Sequence, residues 1–314
     1  MPRRRAAPAS WSRHDGGIVT AAGARLPLWH ALMALAVVAV WGTNFVVIKI
    51  ALGALPPLLL AVLRFTFAVL PAVLFIRRPP VAWRLLAAYG VLIGAGQFGL
   101  LYVAIDGRIS PGLASLVVQT QVFFTIGLAI VLAGERVRAY QWLALLLAAG
   151  GIGVIALNTG GDTTVVGVVL VIGAALAWAG GNMVARASGR VDMLGYVVWS
   201  SVFALPPLLA LSLWFEGPAR IGQALTRADA TVWAAVLWQS AGNTLFGYAA
   251  WGWLLARHPA ATVAPMALGV PVFGMLASAL LLGEALPAWK LGAAALVLAG
   301  LALNLLWPRR AGTG

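Results

Sequence analysis

At 314 residues, 62% hydrophobic and only 9% charged, the chain cannot be a water-soluble domain, where about a quarter of residues are charged. So much apolar surface exceeds what a core can hide, so lipid must solvate most of the molecule. The net charge of +13 does not indicate nucleic acid, because Lys and Arg fall between apolar runs rather than on a polar face; the lack of Cys excludes disulfides, thiolate metal sites and Cys nucleophiles.

Residues 1–28 are basic and rich in Ala, Arg, Ser and Gly, and read as a disordered cytoplasmic tail. The run that follows is too long for the apolar region of a signal peptide, and more such runs succeed it, so no cleavage is expected. A helix of about 20 residues crosses a hydrocarbon core of roughly 30 Å. On that measure the chain is an all-α integral membrane protein with ten transmembrane helices. They are predicted at 29–52, 57–76, 85–105, 111–133, 141–158, 164–186, 194–215, 231–255, 261–282 and 289–307, with a short tail at 308–314. Pro56-Pro57, Arg77-Arg78-Pro79-Pro80, Ser110-Pro111 and Glu216-Gly217-Pro218 punctuate the runs.

Orientation follows from the basic residues. Arg3, Arg4, Arg5, Arg13 and Arg25 precede span 1. Arg77, Arg78, Arg84, Arg136, Arg138, Arg186, Arg190, Arg257, Arg309 and Arg310 fall on the same side in alternate connections. The opposite side holds only Arg108, Arg220, Arg227 and Lys290. Both termini are therefore expected in the cytoplasm, with the chain in the inner (plasma) membrane.

Span 4 ends Leu132-Ala-Gly-Glu135 and Tyr140-Gln-Trp142 opens span 5; span 9 ends Leu281-Leu-Gly-Glu284 and Ala288-Trp289-Lys290 opens span 10. Gly134-Glu135 and Gly283-Glu284 stand 149 residues apart, as do Gly150 and Ala299. This reads as two five-helix repeats, 29–158 and 164–307. An odd number of spans per unit sends the second through the membrane with opposite polarity, and the site of such an inverted pair is expected near the midplane between the halves.

The same residues carry a family resemblance. The first half has Trp41-Gly-Thr-Asn-Phe-Val-Val-Ile-Lys49, Leu63-Arg-Phe65, Gly112-Leu-Ala-Ser-Leu-Val117 with Gln119 and Gln121, and Gly134-Glu-Arg136. The second has Trp178-Ala-Gly-Gly-Asn182, Trp199-Ser200, Gly247-Tyr-Ala-Ala-Trp-Gly252, Val263-Ala-Pro265 and Pro271-Val272. Over 29–307 the chain resembles the drug/metabolite transporter superfamily, EamA-type. The resemblance implies ten helices, a central cavity and export of small amphipathic metabolites, cysteine and O-acetylserine among them. One departure is Ala285, where relatives often carry Arg after the Glu, which puts a charge pair built on that Arg in question.

A path for a small polar solute needs polar groups facing a cavity. Trp41 and Asn44 are three apart and Trp178 and Asn182 four apart, so each pair shares a helix face. Gln97 and Tyr102 lie in span 3. Gln119 and Gln121 are two apart, so at most one is expected to face the cavity, with Gln119 favoured and Gln121 as glue between helices, the reverse being the alternative. Gln239, Asn243, Tyr248 and Trp251 lie in span 8. Arg64, about 10 Å inside span 2, either attracts a substrate carboxylate, or binds backbone carbonyls at a helix break or snorkels outward. Lys49, near a helix end, reads as snorkelling. Glu135 and Glu284 at span ends, and Pro265 and Pro271 inside span 9, are candidates for gates and hinges. Trp29, Trp83, Trp142, Trp289 and Trp307 read as interface anchors.

The leading expectation is a secondary transporter working by alternating access and, as the resemblance implies, exporting amino acids or related small metabolites; the alternative is export of other metabolites or drugs, such as aromatic amino acids, nucleosides or toxic amphiphiles. An enzyme is not expected: His14, His30 and His258 lie outside span centres, and there is no Walker A sequence for ATP drive. No cofactor or metal is implied. The expected partners are a small-molecule substrate and the lipid bilayer, with the protein a monomer or homodimer.

Overall fold

A computed structural model describes residues 26–133 and 138–307. The chain is helical almost throughout; the β pairing among these residues is one isolated bridge, Gly160 to Thr163. We label the long helices α1 (Leu28–Ala51), α2 (Pro57–Phe75), α3 (Trp83–Ile105), α4 (Pro111–Leu132), α5 (Ala139–Leu157), α6 (Val165–Ala187) and α7 (Met193–Phe215). The run α8 joins Ala230–Leu237, Trp238–Phe246 and Gly247–Arg257 without a break. The last two are α9 (Ala264–Leu282) and α10 (Ala288–Leu306). A short helix, Pro218–Arg227, fills the longest connection.

Nine of these helices among the described residues, all but α8, are long and apolar enough to cross a membrane. In α8 the polar side chains of Gln239, Ser240, Asn243 and Thr244 lower the hydropathy. Large apolar side chains point outward: Leu157, Trp214, Val131 and Leu280 each stand more than three-quarters exposed. Water would penalise that arrangement and hydrocarbon does not. The protein is a multi-pass membrane protein.

Burial inside the bundle runs the other way, with small residues and bonded polar groups. The α5–α10 seam is one such close contact. A Cβ on Gly151 would stand 2.9 Å from the Ala293 carbonyl oxygen, and one on Gly300 would stand 2.6 Å from that of Ala144. Glycine at both places lets the two backbones touch.

Several helices are locally rewound. Leu92–Gly99 in α3 and Trp238–Phe246 in α8 are π-helical. Val118–Thr120 in α4 and Ala264–Leu268 in α9 are 3₁₀ turns. Such turns mark functional positions in many helices because they re-aim side chains and free carbonyls. Pro265 sits in the second 3₁₀ turn and Pro271 three residues beyond it. Neighbouring packing places α1 against α9 and α8, α6 against α4 and α3, α7 against α2 and α3, and α2 against α8.

Three helix starts carry a side-chain cap. Thr164 accepts from Gly167 N–H, Asp192 from Gly195 N–H and Asp229 from Val232 N–H. The starts of α2 and α4 lack a local side-chain cap and take one from a distant carboxylate. Glu216, at the end of α7, accepts from the N–H groups of Leu58 (2.6 Å) and Leu59 (2.9 Å). Glu284, after α9, accepts from Gly112 N–H (3.1 Å) and from the hydroxyls of Ser110 and Ser278. Lys49, rather than reaching outward, donates to the Ile105 carbonyl at 3.3 Å and closes the end of α3.

Candidate functional site

The bundle encloses a cavity of about 430 Å³, large enough for an amino-acid-sized solute. Its deep wall reaches Ile48, Leu101 and Val118, near one end of α1, α3 and α4. It runs toward the other end of the bundle, past Ala185, Met193, Leu255 and Leu305. The side where Glu216 and Glu284 bind α2 and α4 is the one away from this mouth.

Of the residues singled out from the sequence, Trp41, Asn44, Gln97, Gln119, Trp178, Asn182, Asn243, Tyr248 and Trp251 line the cavity. Gln121 lines it too, against the expectation that only one of the two glutamines would. Gln119 lies inside the 3₁₀ turn at Val118–Thr120 and Gln121 directly follows it, so α-helical spacing does not hold between them. Gln121 also ties α4 to α6, its Oε1 accepting from Asn182 Nδ2 at 2.8 Å; Asn182 Nδ2 reaches Thr125 Oγ1 at 3.1 Å.

Aromatic groups form much of the rest. The Trp41 ring lies 5.2 Å from that of Trp251 and 5.8 Å from that of Tyr248. Its indole N–H donates to the Asn243 carbonyl at 3.1 Å, which pins α1 to the π turn of α8. Phe45, Tyr89, Phe98 and Met193 also face the cavity and were not singled out from the sequence. An apolar residue within an apolar run carries no mark of which side it faces; Phe98 could have been found only through its neighbour Gln97. No side chain of Asp, Glu, Lys, Arg or His lines the cavity among the described residues.

Arg64, Tyr102 and Gln239 are not in the wall. They form a buried network one layer behind it. Arg64 is 1% exposed. It donates from Nη1 to the Tyr102 hydroxyl (2.9 Å) and from Nη2 to Asn243 Oδ1 (2.9 Å) and Thr244 Oγ1 (3.1 Å). The Tyr102 hydroxyl in turn donates to Gln239 Oε1. The guanidinium lies 3.6 Å from the ring centroid of Phe98, a cation–π contact that places Phe98 between it and the cavity. A narrow cleft lined by Arg64, Phe98, Ser200, Ser201 and Tyr248 adjoins the main cavity.

Glu284 lies far from the cavity in the cap of α4. Its Oε1 also receives Lys290 Nζ at 2.9 Å, so Lys290 supplies the cation that Ala285 lacks. Pro271 lies in the first turn of the α-helical part of α9, Gly269–Leu282, beside the wall residue Val270. Glu135 lies outside the described residues.

A helical membrane bundle with an internal, uncharged, amide- and aromatic-lined cavity defines the class of small-solute transporters. The chain belongs to the EamA-like transporter family, whose sequence profile matches it twice, at residues 28–157 and 165–306. It is 42% identical over 279 residues to a Salmonella typhimurium protein named "Probable amino-acid metabolite efflux pump", covering 87% of this chain and 93% of that one. An Escherichia coli protein of the same name is 39% identical over 281 residues, covering 87% and 94%. The "Uncharacterized inner membrane transporter YedA" of Escherichia coli is 33% identical over 185 residues, 54% of this chain and 59% of its own. A solved crystal structure, 20% identical, shares the fold at a TM-score of 0.60 over 91% of this chain and 99% of that one.

Proposed function

We propose that this chain exports zwitterionic amino acids or closely related metabolites across the inner membrane, without catalytic chemistry, through alternating exposure of the one cavity. The observation that carries this reading is the cavity wall. Amides at Asn44, Gln97, Gln119, Gln121, Asn182 and Asn243 can bond both ends of a zwitterion, and the indoles and rings of Trp41, Trp178, Trp251 and Tyr248 can hold its side chain. A wall without charge suits a solute without net charge, since an ion there would be desolvated with no counter-ion. The names of the Salmonella and Escherichia coli relatives support the substrate class.

In this reading α8 is the tenth span and the two halves are inverted repeats. Several correspondences support that. The π turns fall in α3 and α8 and the 3₁₀ turns in α4 and α9, the third and fourth helices of each half. The contact of α1 with α9 mirrors that of α6 with α4, and α1 with α8 mirrors α6 with α3. The profile matches each half separately. With both termini cytoplasmic, as the Arg distribution indicates, the cavity faces inward and the carboxylate caps of Glu216 and Glu284 hold the outer side shut. Export then requires those caps to part as the inner mouth closes. One chain encloses the whole cavity, so the transport unit is a monomer.

Thermal unfolding of the detergent-purified protein against L-amino acids, nucleosides and sugars tests the substrate class, because a ligand selective for the folded state raises apparent stability. The expected result is a graded shift confined to amino acids, followed by saturable flux in proteoliposomes. A shift by nucleosides or sugars alone would overturn the assignment.

A further inference from the structure

Arg64 is a cation sealed in the bundle with no ion-pair partner among the described residues. A guanidinium cannot lose its proton in a protein, and it can only donate. The group it meets at 2.9 Å on Asn243 must therefore be the amide oxygen. That fixes the orientation of an amide whose two ends are otherwise interchangeable. Asn243 lines the cavity, is 6% exposed, and its Nδ2 has no partner among the described residues. The wall at this point presents N–H donors only, and behind them stands an uncompensated positive charge in a low-dielectric setting. The indole of Trp41 holds the same residue by its backbone carbonyl, so the amide is anchored at both ends of its own residue.

Elsewhere the wall has the opposite need. Asn44 and Gln97 line the cavity, and no hydrogen bond among the described residues fixes which end of either amide faces it, so each can turn its oxygen to a ligand; Asn182 spends its N–H groups on Gln121 and Thr125. A buried acceptor left without a donor is costly, so amide oxygens here favour a ligand that brings N–H groups.

We propose that Asn243 is the residue that selects the carboxylate of the solute, and that Arg64 is its positioning residue, acting through the amide rather than by touching the solute. The ammonium end then falls to the acceptor side of the wall. This deepens the reading of the cavity as a zwitterion site and rests on it.

The test measures binding of L-serine, L-leucine and L-phenylalanine, each against its own carboxamide, to the purified full-length protein. Wild type is expected to prefer the acid by roughly tenfold, the worth of one hydrogen bond strengthened by a nearby charge. Asn243→Asp keeps the shape and pairs with Arg64, and it turns an oxygen toward the cavity; it is expected to reverse the preference toward the carboxamide. Arg64→Gln frees the amide to turn over and is expected to bring the ratio close to one, while Asn243→Leu loses the acid preference and retains carboxamide binding. A wild-type protein that binds none of the six compounds overturns the zwitterion reading and this proposal with it. Wild-type binding of acid and carboxamide alike, or an acid preference that survives Asn243→Asp, overturns the proposal alone.

Discussion

Lys290 donates to Glu284 across 2.9 Å, and both side chains are almost wholly buried. Glu284 is also the cap of α4, while the second acid on Lys290, Asp162 at 3.1 Å, is half exposed. Removing one member of a buried pair leaves the other charge uncompensated, which costs more than the pair is worth. Glu284→Gln is therefore expected to lower stability by about 3 kcal/mol. The double variant Glu284→Gln with Lys290→Met should recover at least half of that loss, as read by thermal unfolding in detergent. Full additivity of the two changes would mean the ion pair is not what holds this corner.

Where α-helical geometry holds, the sequence is a good guide to what faces the cavity. Trp41 and Asn44 share a face, as do Trp178 and Asn182, and all four line the cavity. The guide fails where the backbone is rewound or the partner is remote. Gln119 lies inside a 3₁₀ turn that ends just before Gln121, and no local pattern announced it. Gln239 and Asn243, four apart in the π turn, divide between the hidden network and the wall. Arg64 carried a visible cost, but its partners Tyr102, Asn243 and Thr244 lie on two other helices. The cap that Glu216 gives α2 joins residues 158 apart. Such contacts depend on helix placement, which hydropathy does not encode.

The α5–α10 seam predicts a contrast among glycines. Gly300→Ala and Gly151→Ala each drive a methyl group against a backbone carbonyl and should cost about 1–3 kcal/mol, the range for overpacking. Gly153→Ala and Gly292→Ala, on the same two helices, meet open space within 4 Å. They should leave thermal stability unchanged or raise it by up to about 1 kcal/mol, since alanine is the better helix former. Equal effects at all four positions would remove the argument for close backbone contact.

The absence of native Cys makes accessibility direct to measure. Single cysteines at Gln119, Asn182 and Met193, all in the cavity wall, should react with a small hydrophilic thiol reagent. Leu208→Cys, at a fully buried position, should react at least roughly tenfold more slowly, because only an accessible thiolate is attacked. In oriented vesicles the wall cysteines should react from the cytoplasmic face. Labelling only from the opposite face would reverse the assignment of the open side.

Trp41 combines two roles that substitution can separate. Its ring faces the cavity beside Trp251 and Tyr248, and its N–H holds the carbonyl of Asn243. Trp41→Phe keeps most of the ring and loses the hydrogen bond. It should raise KM for amino-acid flux about threefold, in line with a bond worth roughly 0.5–1.5 kcal/mol. Trp41→Ala also removes an apolar wall and should raise KM by about tenfold or more. Gly247→Ala reaches the same contact from the other side, since its Cβ would stand 2.4 Å from the indole nitrogen. It should displace the indole and reproduce the Phe phenotype with the Trp still present. If Gly247→Ala leaves flux untouched while Trp41→Phe impairs it, the indole acts on the solute directly and not through its hold on Asn243.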